Sequence, residues 1–541
     1  MNPSRDHASG LSERPASTDV DVLVVGAGPT GLAAACEARR HGLSVRIIDR
    51  KLGLSTHSKA LATHARTMEL LEIMGVADRM LAEGVPFAAI TAHAGPRGRR
   101  TRVDLLGLPW GDTAYPFWLS IPQYATEQVL ESRLAELGGA VEWGAAFVEL
   151  DDREDHLEAH VETVDGLQRV RARWVIGCDG GRSTVRDRVG LRLDRRDSGV
   201  EFLLADVAGS LPLAEDEGYA YLAPQGLLII VPVPDPGRWR IIAHVPAATD
   251  AEAPTIDEAY LDALVMERTG LEFGVHDVGW TSRFSLTHGV ADAYRRGRVF
   301  LAGDAAHVHS PVGGQGLNTG LQDAHNLLWK LAEVEGAPSS PAAAESILDS
   351  YEAERRAAGS RMVETVARMT ALLTTRNGAI RRVLGRIAPH VLALPRVQAR
   401  LGRSTGMLEA AYPDGPLSAG PGAGRRLANP ILADGRRLSA RLPESGWCWV
   451  MWQRADEPAA ATDDPRWRGL PVIVVRDDEV IEPEASAPAA QARVVLVRPD
   501  RVVAGTGAEP QQVRTRLEAD ADHRNRLDRD LSGGPGRQRS N

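Results

Sequence analysis

A glycine-rich turn set between two predicted strands limits the folds open to this chain more than any other feature. The apolar run VDVLVV (20–25) predicts a buried parallel strand, and the segment GLAAACEARRH after the turn predicts a helix that stops at Gly42. The next segment, SVRIID, predicts a second strand, so the three pieces form a βαβ unit. The turn carries Gly26, Gly28 and Gly31 in the spacing GxGxxG. We therefore expect an α/β domain with a parallel sheet.

The same turn predicts a dinucleotide-binding site. Gly26 allows the tight turn, Gly28 lets the backbone approach a pyrophosphate, and Gly31 lets the helix pack closely on the strand. The pyrophosphate then lies at the helix N-terminus, where free N–H groups and the helix dipole favour negative charge. Asp49 ends the second strand 18 positions after Gly31, where its carboxylate can bind ribose hydroxyls. A glycine turn that arises by chance in an α/β fold is the alternative.

A second glycine-rich stretch, GDAAHVHSPVGGQGLNTGLQDAHNLLWKLA, covers residues 303–332. A predicted strand ends at Asp304, and Gly313, Gly314 and Gly316 then free backbone N–H groups at the start of a predicted helix. One apolar helix face recurs at spacings of 4, 3, 4 and 3 through Leu317, Leu321, Ala324, Leu328 and Leu331. A helix placed in this way could point at a second polar portion of the same ligand. FAD is long enough to need both turns, because it has a pyrophosphate at one end and an isoalloxazine at the other.

A third motif, WVIGCDGGRSTVRDRVG, covers residues 174–190. A strand ends in the Asp179–Gly180 turn, and Ser183 is positioned to cap a short helix. Taken alone, this motif is an ordinary strand–turn–helix.

Length and composition limit the remaining possibilities. A chain of 541 residues is expected to form two or three domains, and its net charge of −9 gives no pull toward nucleic acid or an anionic membrane. The three cysteines form no disulfide framework, and the sequence has neither a signal-peptide core nor 18 consecutive apolar residues, so we expect a cytoplasmic protein outside the membrane. We divide the chain into a disordered tail (1–18), the first part of the nucleotide-binding domain (19–199), a β-rich substrate domain (200–280), the second part of the nucleotide-binding domain with helices (281–411), a Pro/Gly-rich linker (412–430), a small domain (431–520) and a disordered tail (521–541).

The three motifs, in this order and at these separations, resemble those of the class A flavoprotein aromatic hydroxylases, which have the p-hydroxybenzoate hydroxylase fold. The trailing small domain resembles that of the branch containing phenol hydroxylase and the polyketide hydroxylases. The resemblance covers about residues 19–520 and is weakest in 200–280. It implies an α/β fold: a Rossmann-like FAD-binding domain, an inserted β-rich substrate domain and a C-terminal thioredoxin-like domain.

The resemblance also implies roles for individual residues. FAD would be bound by four groups: the ADP-binding residues Gly26, Gly28, Pro29, Thr30, Gly31, Asp49 and Arg50; the flavin-contacting residues Lys59, Arg66 and Gln123; the acidic turns Asp179–Gly180 and Gly303–Asp304; and the loop residues Pro311, Gly314, Gln315, Gly316, Leu317 and Asn318. Pro311, Gly313 and Gly314 would lie beside the reactive edge of the flavin. The chain departs from the family pattern in three places, where Lys59 and Gly289 replace arginines and Ser310 replaces a proline.

Two residues of the β-rich segment, Tyr221 and His244, are candidates for the substrate cavity, but for each a packing role is favoured over that one. His307 and His309 are alternate loop residues without further ligands in the sequence, so we expect no metal site.

By resemblance, NADPH or NADH reduces non-covalently bound FAD, which reacts with O₂ to give a C4a-hydroperoxide that hydroxylates an aromatic ring. Only three of the 63 basic residues are lysine, a bias typical of a high-GC bacterial genome. This bias and the small C-terminal domain together favour a polycyclic polyketide or another phenolic natural product as substrate. The alternatives are a Baeyer–Villiger or antibiotic-inactivating monooxygenase, a phenol-catabolic hydroxylase, and a flavoprotein that sequesters a drug without turnover. We expect a monomer or a homodimer.

Overall fold

The structure is a computed structural model that describes residues 19–56, 60–93, 100–246, 254–310, 313–336, 340–373, 383, 386–387, 390–392, 394–481 and 492–518. The tails predicted at 1–18 and 521–541, and the predicted site residues Lys59 and Pro311, lie outside the described residues.

The described chain forms groups of consecutive strands with helices between them. The strands are β1 (Val20–Val25), β2 (Val45–Asp49), β3 (Ala62–Thr63), β4 (Val85–Pro86), β5 (Ala89–His93), β6 (Arg100–Asp104), β7 (Leu119–Ser120), β8 (Val141–Trp143), β9 (Ala146–Asp152), β10 (Leu157–Thr163), β11 (Gly166–Gly177), β12 (Leu193–Gly209), β13 (Glu217–Ala223), β14 (Gly226–Pro232), β15 (Arg238–Val245), β16 (Val275–Ala291), β17 (Arg295–Arg296), β18 (Val299–Leu301), β19 (His307–Val308), β20 (Cys448–Gln453), β21 (Val472–Arg476), β22 (Val494–Val497) and β23 (Val503–Gly507). The helices are α1 (Pro29–Arg40), α2 (Ala65–Ile73), α3 (Ala77–Glu83), α4 (Gln123–Glu136), α5 (Thr184–Arg188), α6 (Glu258–Thr269), α7 (Gly316–Gly336), α8 (Pro341–Leu373) and α9 (Pro395–Thr405).

The first sheet brings the three sequence motifs together. Its parallel part runs in the order β18, β11, β1, β2, β8, and β10 and β17 pair with it in the antiparallel sense. Parallel strands end at the same edge of a sheet, and ligands bind beyond that edge in open α/β folds. The first turn follows β1, Asp49 ends β2, the Asp179 turn follows β11, and the Gly303–Asp304 turn follows β18. All three motifs therefore meet at the carboxyl edge.

The second sheet is broader than the β-rich segment predicted from the sequence. Its order is β19, β16, β12, β15, β14, β13, β5, β6, so β5 and β6 join it from a much earlier part of the chain. The long strands β12 and β16 also extend beyond the predicted segment 200–280, to Leu193 and Ala291. One face of this sheet packs on α6. The opposite face, which we call the inner face, is turned toward the first domain, since Ile90, Val103 and Val231 pack against the core of that domain.

The C-terminal domain has a four-stranded sheet in the order β21, β20, β22, β23. Strand β20 is parallel to β21 and antiparallel to β22. Cys448, the first residue of β20, is fully buried. None of the helices in the described ranges has a stretch both long and apolar enough to span a bilayer.

Candidate functional site

The first glycine turn has the geometry that a bound pyrophosphate requires. Gly26 has a φ of +102°, and a Cβ there would lie 2.5 Å from the carbonyl oxygen of Cys178. A Cβ on Gly31 would lie 1.8 Å from the carbonyl oxygen of Gly26, so the start of α1 can approach β1 only without a side chain. Around Gly28, which precedes α1, a Cβ would meet no atom within 4 Å. The turn is tight on its protein side and open at the helix N-terminus, which is where a phosphate would lie.

Asp49 is held in place by backbone N–H groups. Its side chain is 8% exposed, and its two carboxylate oxygens accept hydrogen bonds from the N–H groups of Ala27 (2.8 Å) and Lys51 (2.9 Å). Each oxygen keeps a further lone pair, so the carboxylate can still accept a ribose hydroxyl. The neighbouring Arg50 is exposed.

The other two acidic turns lie at the same edge. Asp179 Oδ2 accepts hydrogen bonds from the N–H groups of Thr184 (2.6 Å) and Val185 (3.1 Å), and burial raises the pKa of Asp179. Ser183 Oγ accepts the N–H of Arg186 (3.0 Å), which confirms the predicted helix cap. Asp304 is exposed just after β18.

The two segments implied to contact the flavin are joined by one side chain. Asn318, in the first turn of α7, donates through Nδ2 to the carbonyl oxygens of Gly314 (2.7 Å) and Ala62 (2.8 Å). Its Oδ1 accepts the N–H of His64 (2.8 Å). Both amide N–H groups of the Asn318 side chain therefore bind protein, which leaves its backbone N–H to meet a cofactor. Gln315, Gly316 and Leu317 are half-buried beside it.

His64 is a site residue that sequence reasoning missed. It is fully buried, its Nε2 lies 3.0 Å from the carbonyl oxygen of Gly313, and its ring packs edge-on against Trp118 with centroids 4.9 Å apart. Burial lowers the pKa of His64 to about 4, so the ring is neutral at pH 7. A carbonyl only accepts, so Nε2 carries the proton and donates it to Gly313. No motif marks this histidine, because its partner lies 249 positions away.

Two buried histidines of the site predict how the stability of the protein depends on pH. Burial lowers the pKa values of His64 and His309 from 6.5 to about 4, so both stay neutral in the folded protein where the unfolded chain gains protons. Their contribution to stability is complete above pH 6.5 and falls as the pH drops toward 4, by up to about 1.4 kcal/mol per pH unit for each histidine. We expect the loss of melting temperature between pH 7 and 5 to be smaller in His64→Gln than in the wild type. Equal losses in the two proteins would contradict this assignment.

Two further residues implied to contact the flavin have protein partners. The Arg66 guanidinium donates to Glu69 Oε2 (3.0 Å) and to the carbonyl of Asp500 (2.7 Å). Gln123 begins α4, donates to Glu127 (2.8 Å) and accepts the N–H of Ala60 (3.4 Å). Gln123 therefore helps to hold the flavin-contacting segment, whereas Arg66 joins it to the C-terminal domain. A direct contact of either side chain with the flavin stays a prediction.

The second sheet separates the two candidate cavity residues. Tyr221 is 2% exposed and packs in the core between the sheet and α6, which agrees with the packing role considered for it. Side chains alternate along a strand, and His244 lies on the inner face, where its ring is 5.9 Å from that of Phe202. The same face carries an ion pair that the sequence did not reveal: Arg240, 1% exposed, binds both carboxylate oxygens of Asp206 at 2.7 Å.

A buried network of charged side chains holds the Gly303–Asp304 turn in place. Asp323 Oδ2 accepts the N–H of Gly303 (3.0 Å) and lies 2.7 Å from His307 Nε2, and its Oδ1 accepts from Arg355 (2.7 Å). Arg355 in turn donates to the hydroxyl of Tyr412 (2.7 Å). These bonds join the Gly303–Asp304 turn to the segment that leads into the C-terminal domain.

Comparisons with known proteins agree with this geometry. The profile of a family described as an FAD binding domain matches residues 19–366. The chain is 38% identical over 424 residues to the 6-methylpretetramide 4-monooxygenase of Streptomyces rimosus, covering 77% of this chain and 74% of that protein. It is 35% identical over 519 residues to the rifampicin monooxygenase of Streptomyces venezuelae, covering 92% and 98%. The solved structure of the OxyS anhydrotetracycline hydroxylase from Streptomyces rimosus superposes with a TM-score of 0.73 at 31% identity, covering 91% of this chain and 96% of that one.

These matches confirm the α/β fold class with a Rossmann-like FAD domain, the predicted family and FAD as the cofactor. The open N-terminus of α1 beside Gly28 and the acidic turns at the carboxyl edge fit that cofactor. The chain belongs to the FAD binding domain family, and it is an FAD-dependent monooxygenase.

Proposed function

We propose that this monooxygenase uses NAD(P)H and O₂ to hydroxylate a fused-ring aromatic polyketide or a related phenolic product. The observation that carries the proposal is the inner face of the second sheet. Its strands present Phe202, Leu222, Ile229, Ile242 and Phe284, which pack as one apolar cluster. Four of these five are half-buried, whereas Phe202 and two further members of the cluster, Leu227 and Leu286, are buried. A broad, partly open apolar wall suits a flat polycyclic substrate.

The protein's own residues have three tasks in this reaction. The glycine turns and Asp49 bind and orient FAD, which supplies electron transfer and oxygen activation when bound. The apolar wall positions the ring system and excludes water from the reacting centre. The Arg240–Asp206 pair gives this wall a fixed polar group, which can orient a substrate oxygen.

The activities for which the relatives are named favour this substrate class. The matched proteins are named for action on 6-methylpretetramide and on anhydrotetracycline, both polycyclic. We expect anhydrotetracycline or another polycyclic phenol to stimulate NAD(P)H oxidation by the purified holoenzyme. The product should gain one oxygen atom, and under ¹⁸O₂ that atom should carry the label. Binding without stimulated oxidation would favour the sequestering alternative, and stimulated oxidation without a heavier product would contradict hydroxylation of the compound tested.

A second activity is favoured by the rifampicin monooxygenases, since one of them matches 92% of this chain. The same assay with rifampicin tests inactivation of an antibiotic. Product connectivity, determined by NMR, separates ring hydroxylation from oxygen insertion into a carbon–carbon bond.

We infer that the protein works in a reducing compartment, as a monomer or homodimer. Its cysteines Cys36, Cys178 and Cys448 are all free thiols. Size-exclusion chromatography with light scattering determines the assembly state.

A further inference from the structure

Two consecutive carbonyl groups before α7 are held by side chains from outside the loop. The carbonyl oxygen of Gly313 is 3.0 Å from His64 Nε2, and that of Gly314 accepts from Asn318 Nδ2 at 2.7 Å. Both glycines have left-handed backbone angles, with φ of +84° and +61°. The loop is therefore fixed in a conformation that most other residues would disfavour.

Fixing the carbonyls also fixes the N–H groups that follow them. None of the described peptide bonds is cis, and in a trans peptide the N–H points opposite to the carbonyl. The N–H groups of Gly314 and Gln315 are thus turned away from His64 and Asn318. Neither has a hydrogen-bond partner among the described residues. They add two donors to the free N–H groups of the first turn of α7, and successive N–H groups of this kind form an anion-binding concavity.

The side chain of His64 is suited to this task. It is neutral and buried, and the edge-on contact with Trp118 fixes the plane of its ring. Its backbone N–H binds Asn318, so one residue contributes to holding both carbonyls. The loop also packs closely against β3, because a Cβ on Gly314 would lie 3.0 Å from the Cβ of Ala62.

We propose that His64 is a positioning residue for the flavin. Its ring holds the Gly313 carbonyl, and its backbone N–H holds the Asn318 side chain that binds the Gly314 carbonyl. In this way it directs the N–H groups of Gly314 and Gln315 toward the negative charge that two-electron reduction places on the flavin. The loop N–H groups interact more strongly with the negatively charged reduced flavin than with the neutral oxidised flavin. His64 therefore raises the midpoint potential more than it strengthens the binding of oxidised FAD. The proposal depends on the FAD site and not on the identity of the aromatic substrate, so it survives if the proposed substrate class is wrong.

The test compares substitutions that differ only in where they place a donor. His64→Phe keeps a ring against Trp118 but removes the donor, and we expect the equilibrium constant for two-electron reduction to fall about tenfold. A tenfold change corresponds to about 30 mV in the midpoint potential. His64→Gln places an amide N–H near the position of Nε2 and should restore most of the potential. His64→Asn places its amide near Nδ1 and should not. The dissociation constant of oxidised FAD, measured by titrating apoprotein, should change only a few-fold in all three.

Trp118→Phe is the matched control, because it changes a neighbour of His64 but keeps both an aromatic ring against His64 and the His64 donor; its potential should stay close to that of the wild type. If His64→Phe does not fold, the Gln and Asn variants decide the question between them. Equal potentials in Gln and Asn would overturn the proposal. So would a wild-type potential in His64→Phe combined with a lower melting temperature, because His64 would then be only a core residue.

Discussion

Replacing Arg498 with methionine is expected to lower the free energy of unfolding by about 3–5 kcal/mol, the usual cost of breaking a buried ion pair from one side. Arg498 is fully buried and binds both carboxylate oxygens of Glu354, at 2.6 and 2.9 Å, as well as Asp500. Among the described residues, the variant leaves the two buried carboxylates with Lys330, Asn326 and the N–H of Val502 as partners. Urea unfolding of the FAD-saturated protein, followed by tryptophan fluorescence, measures the loss.

Arg454→Met is the matched control, because its pair with Asp456 is exposed and such pairs contribute about 0–1 kcal/mol. The double variant Arg498→Met/Glu354→Leu should lose less stability than the sum of the two single variants, since neither partner then stays buried alone. If Arg498→Met unfolds like the control, the C-terminal domain is not joined to α8 through this network. Burial lowers the pKa of Lys330 to about 8 even beside Glu354, so the network needs Arg498 as its permanent cation.

The sequence predicted those parts of the site that depend on neighbours in the chain. The turns after β1, β11 and β18 were placed from local patterns, and parallel pairing brings them to one edge. In the first βαβ unit, for example, the glycines and the acid lie within 24 residues of each other (26–49), so the local sequence determines their arrangement. The remaining contacts are between residues that are far apart in the chain, and no periodicity records such a pairing.

Asn318 illustrates the difference. Its position at the start of α7 was predicted, but its side-chain partner Ala62 lies 256 positions earlier. Arg498 and Glu354 are 144 positions apart, in elements that the sequence assigned to separate domains.

The sequence left two roles open for Tyr221, in the substrate cavity or in the core, for another reason. Moving one position along a strand changes the face on which a side chain lies, and the sequence alone did not show which face of β13 meets α6.

Gly28→Ala is expected to separate cofactor binding from folding. Gly28 has a φ of −76°, which alanine adopts freely, and an added Cβ would meet no protein atom within 4 Å. The stability of the FAD-free protein should therefore change by no more than about 0.5 kcal/mol. If the pyrophosphate approaches the backbone at this residue, the same methyl group takes its place, and FAD affinity should fall about 100-fold, or about 2.8 kcal/mol. Thermal unfolding of the apoprotein and fluorescence titration with FAD measure the two effects.

Gly31→Ala is the informative comparison, because it adds the same methyl group one turn later in the chain. There the Cβ would lie 1.8 Å from the carbonyl oxygen of Gly26, so α1 must move away from β1 before any ligand is present. Stability and FAD affinity should fall together in Gly31→Ala, whereas only affinity should fall in Gly28→Ala. Unchanged affinity in Gly28→Ala would mean that the phosphates lie elsewhere. A Gly28→Ala apoprotein as unstable as Gly31→Ala would mean that the space beside Gly28 belongs to the fold and not to the cofactor.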